Sequence, residues 1–386
     1  MTIKRHFVLA AGGTGGHMMP AHALAVELMA RGHHVALITD ERGAKIPDLF
    51  EGVDVHIMPA GRLGGGPVGW VRAARSIWAG RAMALRLFDS FRPTAVIGFG
   101  GYPALPALMA AFKAGIPTAI HEQNAVLGRV NRLVARKVDV IALGFPNAQR
   151  LKRGHKAKTH VVGNPVRPEV LALRDQPYPA IDAEGVLRVM VIGGSQGASI
   201  LSEIVPDGLA MLPPSLKRRL QVTQQCRAED IEVVRKRYVE LKIPADLATY
   251  MNDIPERLAW THIMIARSGA STIAELTAAG RPAILIPLPS ATDDHQTFNA
   301  AELVEAGGAR VITQRNFSPV ELAKQMQKLG LETEGLIAAA KRAWQCGRPH
   351  AAKDLADLVE GLGKPTAQDG LAAKGWQGGT LAGAGA

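Results

Sequence analysis

FVLAAGGTGGH, from Phe7 to His17, and VMVIGGSQGA, from Val189 to Ala198, carry one pattern in the two halves of the chain. Each begins with a short apolar run, as a buried parallel strand does, and continues through a glycine-rich turn into an apolar-periodic helix. Glycine lets the backbone approach a ligand closely, and the start of a helix offers unpaired N–H groups to an anion. The repeated pattern predicts two similar α/β domains that face each other across a cleft and bind a phosphate-bearing ligand there.

Length and composition allow a full core in each of two domains, because the 386 residues are 47% hydrophobic. The chain has two cysteines, Cys226 and Cys346, which make no disulfide framework and favour a reducing, cytosolic setting. No signal peptide is expected, since the apolar run after Arg5 is short. The longest apolar stretch, residues 95–112, is interrupted by glycines and prolines and predicts a strand, a turn and a helix rather than a membrane span.

The positive charge of the chain is concentrated in its first half. Residues 1–160 contain 21 Lys and Arg against nine Asp and Glu, whereas the whole chain has a net charge of +11. Such an excess on one side indicates an anionic partner for the N-terminal half. Nucleic acid and anionic lipid both fit this charge.

Strand-like runs alternate with helical ones, which predicts βαβ units and parallel sheets. The runs are residues 6–10, 34–39, 53–58, 95–98, 118–121, 138–142, 159–162, 187–192, 221–224, 248–251, 263–266 and 283–287. Gly163-Asn164-Pro165 is the expected hinge, because glycine and an X-Pro step both disfavour helix. The predicted domains are therefore residues 1–163 and 164–363, followed by a Gly/Ala-rich tail, 364–386, that we expect to be disordered.

A third turn of the phosphate-binding kind follows the apolar run at residues 263–266. Ser268, Ser271 and Thr272 can cap the helix that ends near Ala279, or donate to phosphate oxygens. Glu275 lies in the first turns of that helix. It fits two roles equally, an acid that stabilises the helix dipole and an acceptor for ribose hydroxyls.

Polar side chains follow two other strand-like runs. His121-Glu122-Gln123-Asn124 comes after Ile120, and Asp294-His295-Gln296 follows the run at 283–287. Ligands bind at the carboxyl edge of open parallel sheets, so these segments are candidate site loops. Each segment taken alone favours an ordinary polar loop, and the indication of a site comes from their joint placement after strand ends.

The segment from Gly61 to Arg92 combines tryptophan with arginine. Four arginines, Arg72, Arg75, Arg81 and Arg86, lie among apolar residues that include Trp70 and Trp78. Core packing explains part of this pattern, but the apolar residues exceed one helical stripe. Tryptophan beside arginine is typical of a helix at a membrane surface, and we favour that interpretation.

His17 is the candidate general base, because a histidine near neutral pKa at the first glycine turn could take a proton from a substrate hydroxyl. The alternative is a helix-start histidine that bonds to local backbone. No Asp-x-Asp and no zinc-type spacing of His and Cys occurs in the sequence, which favours a mechanism without metal or other cofactor.

Six motifs in this order make the sequence similar to the MurG family of N-acetylglucosaminyltransferases of peptidoglycan synthesis. They are Gly12–His17, His121–Asn124 with Gly128 and Asn131, Gly163–Arg167, Gly193–Ala198, Arg267–Ala270 with Glu275, and Asp294–Thr297 with Asn299. The resemblance covers about residues 6–345. It implies a GT-B fold of two Rossmann-like domains with parallel sheets.

The resemblance also implies an activity. The family transfers N-acetylglucosamine (GlcNAc) from UDP-GlcNAc to lipid I, the muramyl-pentapeptide pyrophosphoryl-undecaprenol acceptor, inverts the anomeric centre and forms lipid II. The N-terminal domain would bind the acceptor and the anionic membrane through Trp70, Trp78 and the four arginines, on the cytoplasmic face of the bacterial inner membrane and without nucleic acid. The C-terminal domain would bind the donor, and the final helix could pack back on the N-terminal domain.

The same resemblance implies site residues. Donor contacts carry over to Thr14, Gly15, Gly16, Asn124, Arg167, Ser195, Met251, Ala270, Ser271, Thr272, Ile273, Ala274, Glu275 and Gln296. Glu275 would hold the ribose and Gln296 the GlcNAc hydroxyls. Met251 stands where relatives often have isoleucine. Glu122 is the second candidate base after His17.

Three rival functions stay open from the sequence. An NAD-type oxidoreductase is disfavoured, because Met18 stands where the third glycine of its fingerprint belongs. A UDP-GlcNAc epimerase would not need the Arg/Trp surface. A membrane-bound sensor would bind UDP-GlcNAc without turnover.

Overall fold

The computed structural model describes residues 4–13, 15–45, 50–59, 66–182, 184–194 and 197–362. Three predictions, concerning Thr14, Ser195 and the tail at 364–386, lie outside the described residues. By its internal contacts the chain divides into two units. Unit 1 comprises Met1–His121, Arg129–Ala142 and Lys353–Ala386, and unit 2 comprises Glu122–Gly128 and Leu143–Ala352.

The first sheet has seven strands in the order β3-β2-β1-β4-β5-β6-β7. They are β1 (His6–Ala10), β2 (His34–Thr39), β3 (Asp54–Ile57), β4 (Ala95–Gly98), β5 (Thr118–Glu122), β6 (Val140–Leu143) and β7 (Thr159–Val161). The pairings of β1 with β2 and β4, of β2 with β3 and of β4 with β5 are parallel. The strand order reverses between β1 and β4, the position at which open α/β sheets bind ligands.

The second sheet has six strands in the order β10-β9-β8-β11-β12-β13, and all its pairings are parallel. They are β8 (Leu187–Ile192), β9 (Leu220–Gln225), β10 (Ala245–Ala248), β11 (Ile263–Ala266), β12 (Ala283–Leu285) and β13 (Ala309–Val311). Here the order reverses between β8 and β11. Two units built on parallel sheets confirm the predicted α/β class.

Helices lie between most of the consecutive strands, as parallel pairing usually requires. They are α1 (Gly15–Ala30), α2 (Gly66–Phe91), α3 (Ala104–Ala114), α4 (Arg129–Val134), α5 (Pro168–Leu171), α6 (Ser199–Ala210), α7 (Pro214–Lys217), α8 (Ile231–Leu241), α9 (Ile254–Trp260), α10 (Ala270–Ala279), α11 (His295–Glu305), α12 (Pro319–Leu329), α13 (Thr333–Gln345) and α14 (Ala351–Leu362). Within the described ranges, none of them combines the length and the apolar character that crossing a bilayer requires.

The core of unit 2 lies on both faces of its sheet. Val189 and Val191 of β8 pack into one buried cluster, and Met190 between them packs into the other. In β11, Ile265 and Met264 divide in the same way. Both faces are apolar, which is why these strands are continuous apolar runs in the sequence.

In unit 1 an ion-pair cluster holds the last described helix. Arg31 donates to Asp357 at 2.5 Å and to Glu360 at 2.7 Å, and His33 contacts the other oxygen of Glu360 at 2.5 Å. Burial alone would raise the pKa of Glu360, but the hydrogen bonds from His33 and Arg31 hold it below its usual value. The cluster fixes the part of α14 that belongs to unit 1 against the start of its sheet.

Candidate active site

The first glycine turn in unit 1 is fixed by a half-buried carboxylate. Oδ1 of Asp40, at the end of β2, accepts the N–H groups of Gly13 at 3.1 Å and Gly43 at 2.9 Å. Burial alone would raise the pKa of Asp40, but these amides and the Arg42 guanidinium lower it. Asp40 therefore stays ionised and orients the turn that leads into α1.

His17 lies on the first turn of α1, and one of its two ring nitrogens is held by a hydrogen bond. Its Nδ1 is 3.1 Å from the carbonyl oxygen of Gly12. A carbonyl oxygen can only accept, so Nδ1 carries the proton and the lone pair of the neutral ring is on Nε2. The ring packs against Gly100, where φ is +85° and where a Cβ would lie 3.3 Å from Nε2.

Glu122 in unit 2 orients the loop that follows it. One carboxylate oxygen accepts the N–H of Asn124 at 3.1 Å, and the other accepts the N–H of Gly128 at 2.7 Å. The residue is 2% exposed. Both oxygens are engaged with backbone, which matches a positioning role for Glu122.

Asn299 of α11 connects this loop to the turn before α10. Its Nδ2 donates to Oδ1 of Asn124 at 3.2 Å and to the carbonyl oxygen of Ser268 at 3.1 Å, while its Oδ1 accepts the N–H of Ala125 at 2.7 Å. Asn299 is fully buried. One side chain thus sets the position of two predicted site segments within unit 2.

The first turn of α10 is the main candidate for anion binding. Its N-cap residue is Gly269, and no side chain caps the helix. The first N–H groups of a helix have no partner within it, so they can bind an anionic ligand. Ser271 and Thr272 are half-buried there, whereas the side chain of Ile273 lies in the core.

Arg167 and Glu275 form an ion pair in unit 2. The Arg167 Nε and Nη2 both donate to Oε1 of Glu275, at 3.0 and 2.7 Å. Burial raises the pKa of Glu275, although Arg167 opposes the shift. The Arg167 guanidinium thus favours the carboxylate form of Glu275, which burial disfavours.

Three further predicted donor segments lie in unit 2: Gln296 in the first turn of α11, and Met251 and the second glycine turn in loops, whereas Gly15 and Gly16 begin α1 of unit 1. Gln296 accepts the N–H of Leu288 through Oε1 at 3.0 Å, which leaves its amide NH₂ for other acceptors. The Met251 side chain is buried in the core ahead of α9. The second glycine turn, with Gly194 at φ +87° and Gly197 at φ +67°, leads into α6, whose N-cap Ala198 provides no side-chain cap.

Helix α2 of unit 1 has a buried face and an exposed face. Ala73, Gly80 and Phe88 are buried, and a Cβ on Gly80 would lie 2.8 Å from the carbonyl oxygen of Pro59. On the other face Trp70 is 57% and Trp78 61% exposed. The exposed arginines are Arg72, Arg75 and Arg86, and Arg81 is half-buried and stacks on Trp78 at 4.9 Å.

Family models match both halves of the chain. The glycosyltransferase family 28 N-terminal domain matches residues 7–143, and the C-terminal domain of the same family matches residues 188–359. The chain belongs to glycosyltransferase family 28. This membership confirms the prediction of a glycosyltransferase, and the similarity to the MurG family is confirmed by individual relatives.

Relatives of high identity show which members of family 28 this chain is similar to. A transferase of Novosphingobium aromaticivorans is 64% identical over 368 residues, 95% of each chain, and one of Zymomonas mobilis is 63% identical over 363 residues, 94% of each. Both are named UDP-N-acetylglucosamine–N-acetylmuramyl-(pentapeptide) pyrophosphoryl-undecaprenol N-acetylglucosamine transferase. This family 28 enzyme is an N-acetylglucosaminyltransferase.

Solved structures agree on the fold. MurG of Acinetobacter baumannii is 29% identical with a TM-score of 0.75, covering 92% of this chain and 99% of that one. A putative UDP-N-acetylglucosamine 2-epimerase of Listeria monocytogenes is 14% identical with a TM-score of 0.65, covering 91% and 95%. The second likeness concerns the fold alone, so the family match and not the architecture separates the transferase from an epimerase.

Sequence reasoning missed what Asp40 and Asn299 do. Asn299 belongs to a predicted motif but has no role assigned to it, and Asp40 is not among the predicted site residues. Each accepts a backbone N–H from a distant part of the chain, that of Gly13 for Asp40 and that of Ala125 for Asn299. No short-range spacing indicates such a contact.

We expect Asn299→Ala to destabilise the enzyme by about 1–3 kcal/mol, because it leaves a buried N–H and a buried carbonyl without partners. Urea denaturation of the full chain measures the change. Thr297→Ala, which removes one exposed hydrogen bond to Asp294 on the same helix, is the matched control and should stay within about 0.5 kcal/mol of the wild type. Equal losses for the two variants would contradict the role given to Asn299.

Proposed function

We propose that this enzyme transfers GlcNAc from UDP-GlcNAc to lipid I and so forms lipid II in peptidoglycan synthesis. The observation that carries the proposal is the 64% identity, over 95% of both chains, to a transferase named for this reaction. The arrangement of polar groups in unit 2 supports it with a chemistry for each part of the donor.

The donor diphosphate binds at the start of α10 in this proposal. The uncapped N–H groups at Ala270, Ser271 and Thr272 are donors for phosphate oxygens, and the helix dipole favours their charge. Gly15 and Gly16, the first residues of α1, and Ser195, which lies outside the described residues, are further proposed donor contacts. No metal is required for this stabilisation of charge.

Glu275 and Arg167 bind different parts of the donor in this proposal. The Glu275 carboxylate accepts the ribose hydroxyls, and its second oxygen, Oε2, takes no bond from Arg167. Arg167 keeps donors for the diphosphate, because only its Nε and Nη2 contact Glu275. As UDP leaves, the growing negative charge is stabilised by this guanidinium and by the helix N-terminus.

Gln296 and Asn124 recognise the sugar side of the donor in this proposal. The Leu288 N–H fixes the Gln296 amide so that its NH₂ can donate to a GlcNAc hydroxyl. Asn124 is held by Asn299 and by Glu122. Met251 contributes through its backbone, since its side chain is buried, and this accounts for tolerance of methionine in place of isoleucine.

His17 is the general base in this mechanism. The acceptor hydroxyl attacks the anomeric carbon from the face opposite UDP, and its proton passes to Nε2, which bears the lone pair. The C–O bond to the diphosphate breaks with its electron pair, so the configuration inverts. Glu122 positions the Asn124 loop and is the alternative base.

The exposed face of α2 is the proposed membrane contact. Trp70 and Trp78 would insert at the headgroup level, and the arginines beside them would bind anionic lipid. The enzyme would then act as a peripheral protein on the cytoplasmic face of the inner membrane, where an undecaprenyl-linked acceptor is embedded.

Release of UDP from UDP-GlcNAc, followed with and without a lipid I analogue, tests the function. We expect release only with the acceptor, formation of the disaccharide product, and retention of activity in saturating EDTA. An epimerised donor without acceptor, or donor binding without turnover, would overturn the proposal. Loss of activity in EDTA that Mg²⁺ restores would overturn its metal-independent part.

His17→Ala should lower kcat by roughly 10²–10⁴-fold, the usual contribution of a general base. The dissociation constant of UDP should stay within a few-fold, and the acidic limb of the pH–rate profile should disappear. His22→Ala on the same helix is the control and should keep both. Near-normal turnover with an unchanged acidic limb in His17→Ala would make Glu122 the leading candidate.

Reversing charge on α2 should weaken vesicle binding. Each arginine near an anionic surface contributes about 1 kcal/mol, so Arg72→Glu/Arg75→Glu should reduce binding to anionic vesicles at least tenfold, and high salt should do the same. UDP binding should not change. Arg235→Glu/Lys236→Glu, an equal charge reversal on the exposed side of α8, is the control, and equal weakening by both pairs would refute a specific role for α2.

A further inference from the structure

Arg281 is a buried arginine that uses backbone carbonyls as its partners. It is 2% exposed and follows α10 directly. In the described part of the chain, no Asp or Glu oxygen pairs with it, and burial lowers its pKa to about 10. Its Nε donates to the carbonyl of Leu258 at 2.8 Å, Nη2 to that of Ala259 at 3.1 Å, and Nη1 to that of Ala279 at 2.6 Å.

These carbonyls belong to the last turns of two helices. Leu258 and Ala259 lie at the end of α9, and Ala279 is the last residue of α10. The final carbonyls of a helix have no partner within it and carry the negative end of the helix dipole. One guanidinium therefore satisfies and neutralises the C-terminal ends of both helices.

Arg174 adds a second cation at the end of α10. Its Nη1 donates to the carbonyls of Thr277 at 3.3 Å and of Trp344 at 3.0 Å, and the guanidinium stacks on the Trp344 ring at 3.9 Å. Arg174 ties α10 to α13, however, and makes no bond to α9. Arg281 alone of these two connects α9 with α10.

The opposite ends of the same two helices carry proposed donor contacts. Met251 lies directly ahead of α9, which begins at Ile254, and the diphosphate contacts begin at Ala270, the first residue of α10. A helix is stiff over seven to ten residues, so fixing the two C-terminal ends to one another fixes the spacing of the two N-terminal ends.

We propose that Arg281 is a positioning residue of the donor site, which sets the distance between the segment at Met251 and the start of α10. The inference rests on the proposed donor site and adds a residue that touches neither donor nor acceptor. A donor that spans both segments loses contact with one of them when the two helices move apart. An acceptor bound by unit 1 does not lose a contact when these two helices move apart.

The test compares Arg281→Met with Arg219→Met in the full-length enzyme. Arg219 likewise donates to two backbone carbonyls, those of Gly185 at 2.5 Å and Asp182 at 2.7 Å, but neither belongs to α9 or α10. Calorimetry measures the UDP dissociation constant, steady-state kinetics the KM of UDP-GlcNAc and of the acceptor, and thermal unfolding the stability.

Arg281→Met should raise the UDP dissociation constant and the KM of UDP-GlcNAc about tenfold, which corresponds to ~1.4 kcal/mol. The acceptor KM should stay within twofold. Arg219→Met should lower the Tm and leave all three constants within twofold. If Arg281→Met does not fold, Arg281→Lys compared with Arg219→Lys makes the same test, with a smaller shift in the same direction.

Unchanged donor constants in a folded Arg281 variant, or an equal rise in the Arg219 variant, would overturn the inference. The proposed function fails in a different way. A wild-type enzyme that does not bind UDP overturns the donor site and Arg281's role together, whereas wild-type binding that Arg281→Met and Arg281→Lys both retain overturns the role of Arg281 alone.

Discussion

The buried amide of Asn299 is the contact on which the arrangement of unit 2 depends. Two loops leave the sheet region at different points of the chain, and each has backbone groups that water cannot reach. Asn299 can satisfy both loops because an amide both donates and accepts. A side chain with only one kind of hydrogen-bonding group would leave one loop with an unpaired group, and the two loops would no longer share one position.

The two ends of α10 differ in whether side chains compensate the charge of the helix dipole. Its first turn has no carboxylate and no side-chain cap, so the positive end of the dipole is left for a ligand. Its last turn receives two guanidinium groups, from Arg174 and Arg281. Folding thus stabilises the end that binds nothing and leaves the end that is proposed to bind the donor unsatisfied, which is the arrangement that a binding helix requires.

The central strands of both sheets could be predicted from the sequence, whereas the two edge strands of the second sheet could not. Strands β1 and β8 are buried on both faces, so their apolar runs and the glycines after them are unambiguous. Strand β10 lies at an edge of the second sheet, where Asp246 is exposed, and it spans Ala245–Ala248 rather than the predicted 248–251. The prediction was wrong there because an edge strand needs little apolar surface. Strand β13, at the other edge and with Arg310 exposed, was not predicted at all.

Some residues of the candidate site could likewise be predicted from the sequence, and others could not. Polar residues directly after strands, such as Glu122 and Asn124, follow from the strand prediction, because the carboxyl ends of parallel strands meet at one edge. Asn299 bonds to a residue 175 positions away. Arg281 reaches back 23 positions to Leu258. Contacts of this kind depend on how helices pack, which local spacing does not specify.

The small residues on the inner face of α2 have a consequence for how this surface can change over evolution. Gly80 brings the helix so close to Pro59 and Pro106 that a larger residue at this position would require the backbone to move. On the outer face the side chains of Trp70 and Trp78 are exposed, so their size and charge are less constrained than those of the inner face. Residues there can be exchanged for more or fewer aromatic and basic side chains while the core stays as it is. The strength of the membrane contact proposed for α2 can therefore follow the lipid composition of the host without any change in the catalytic framework.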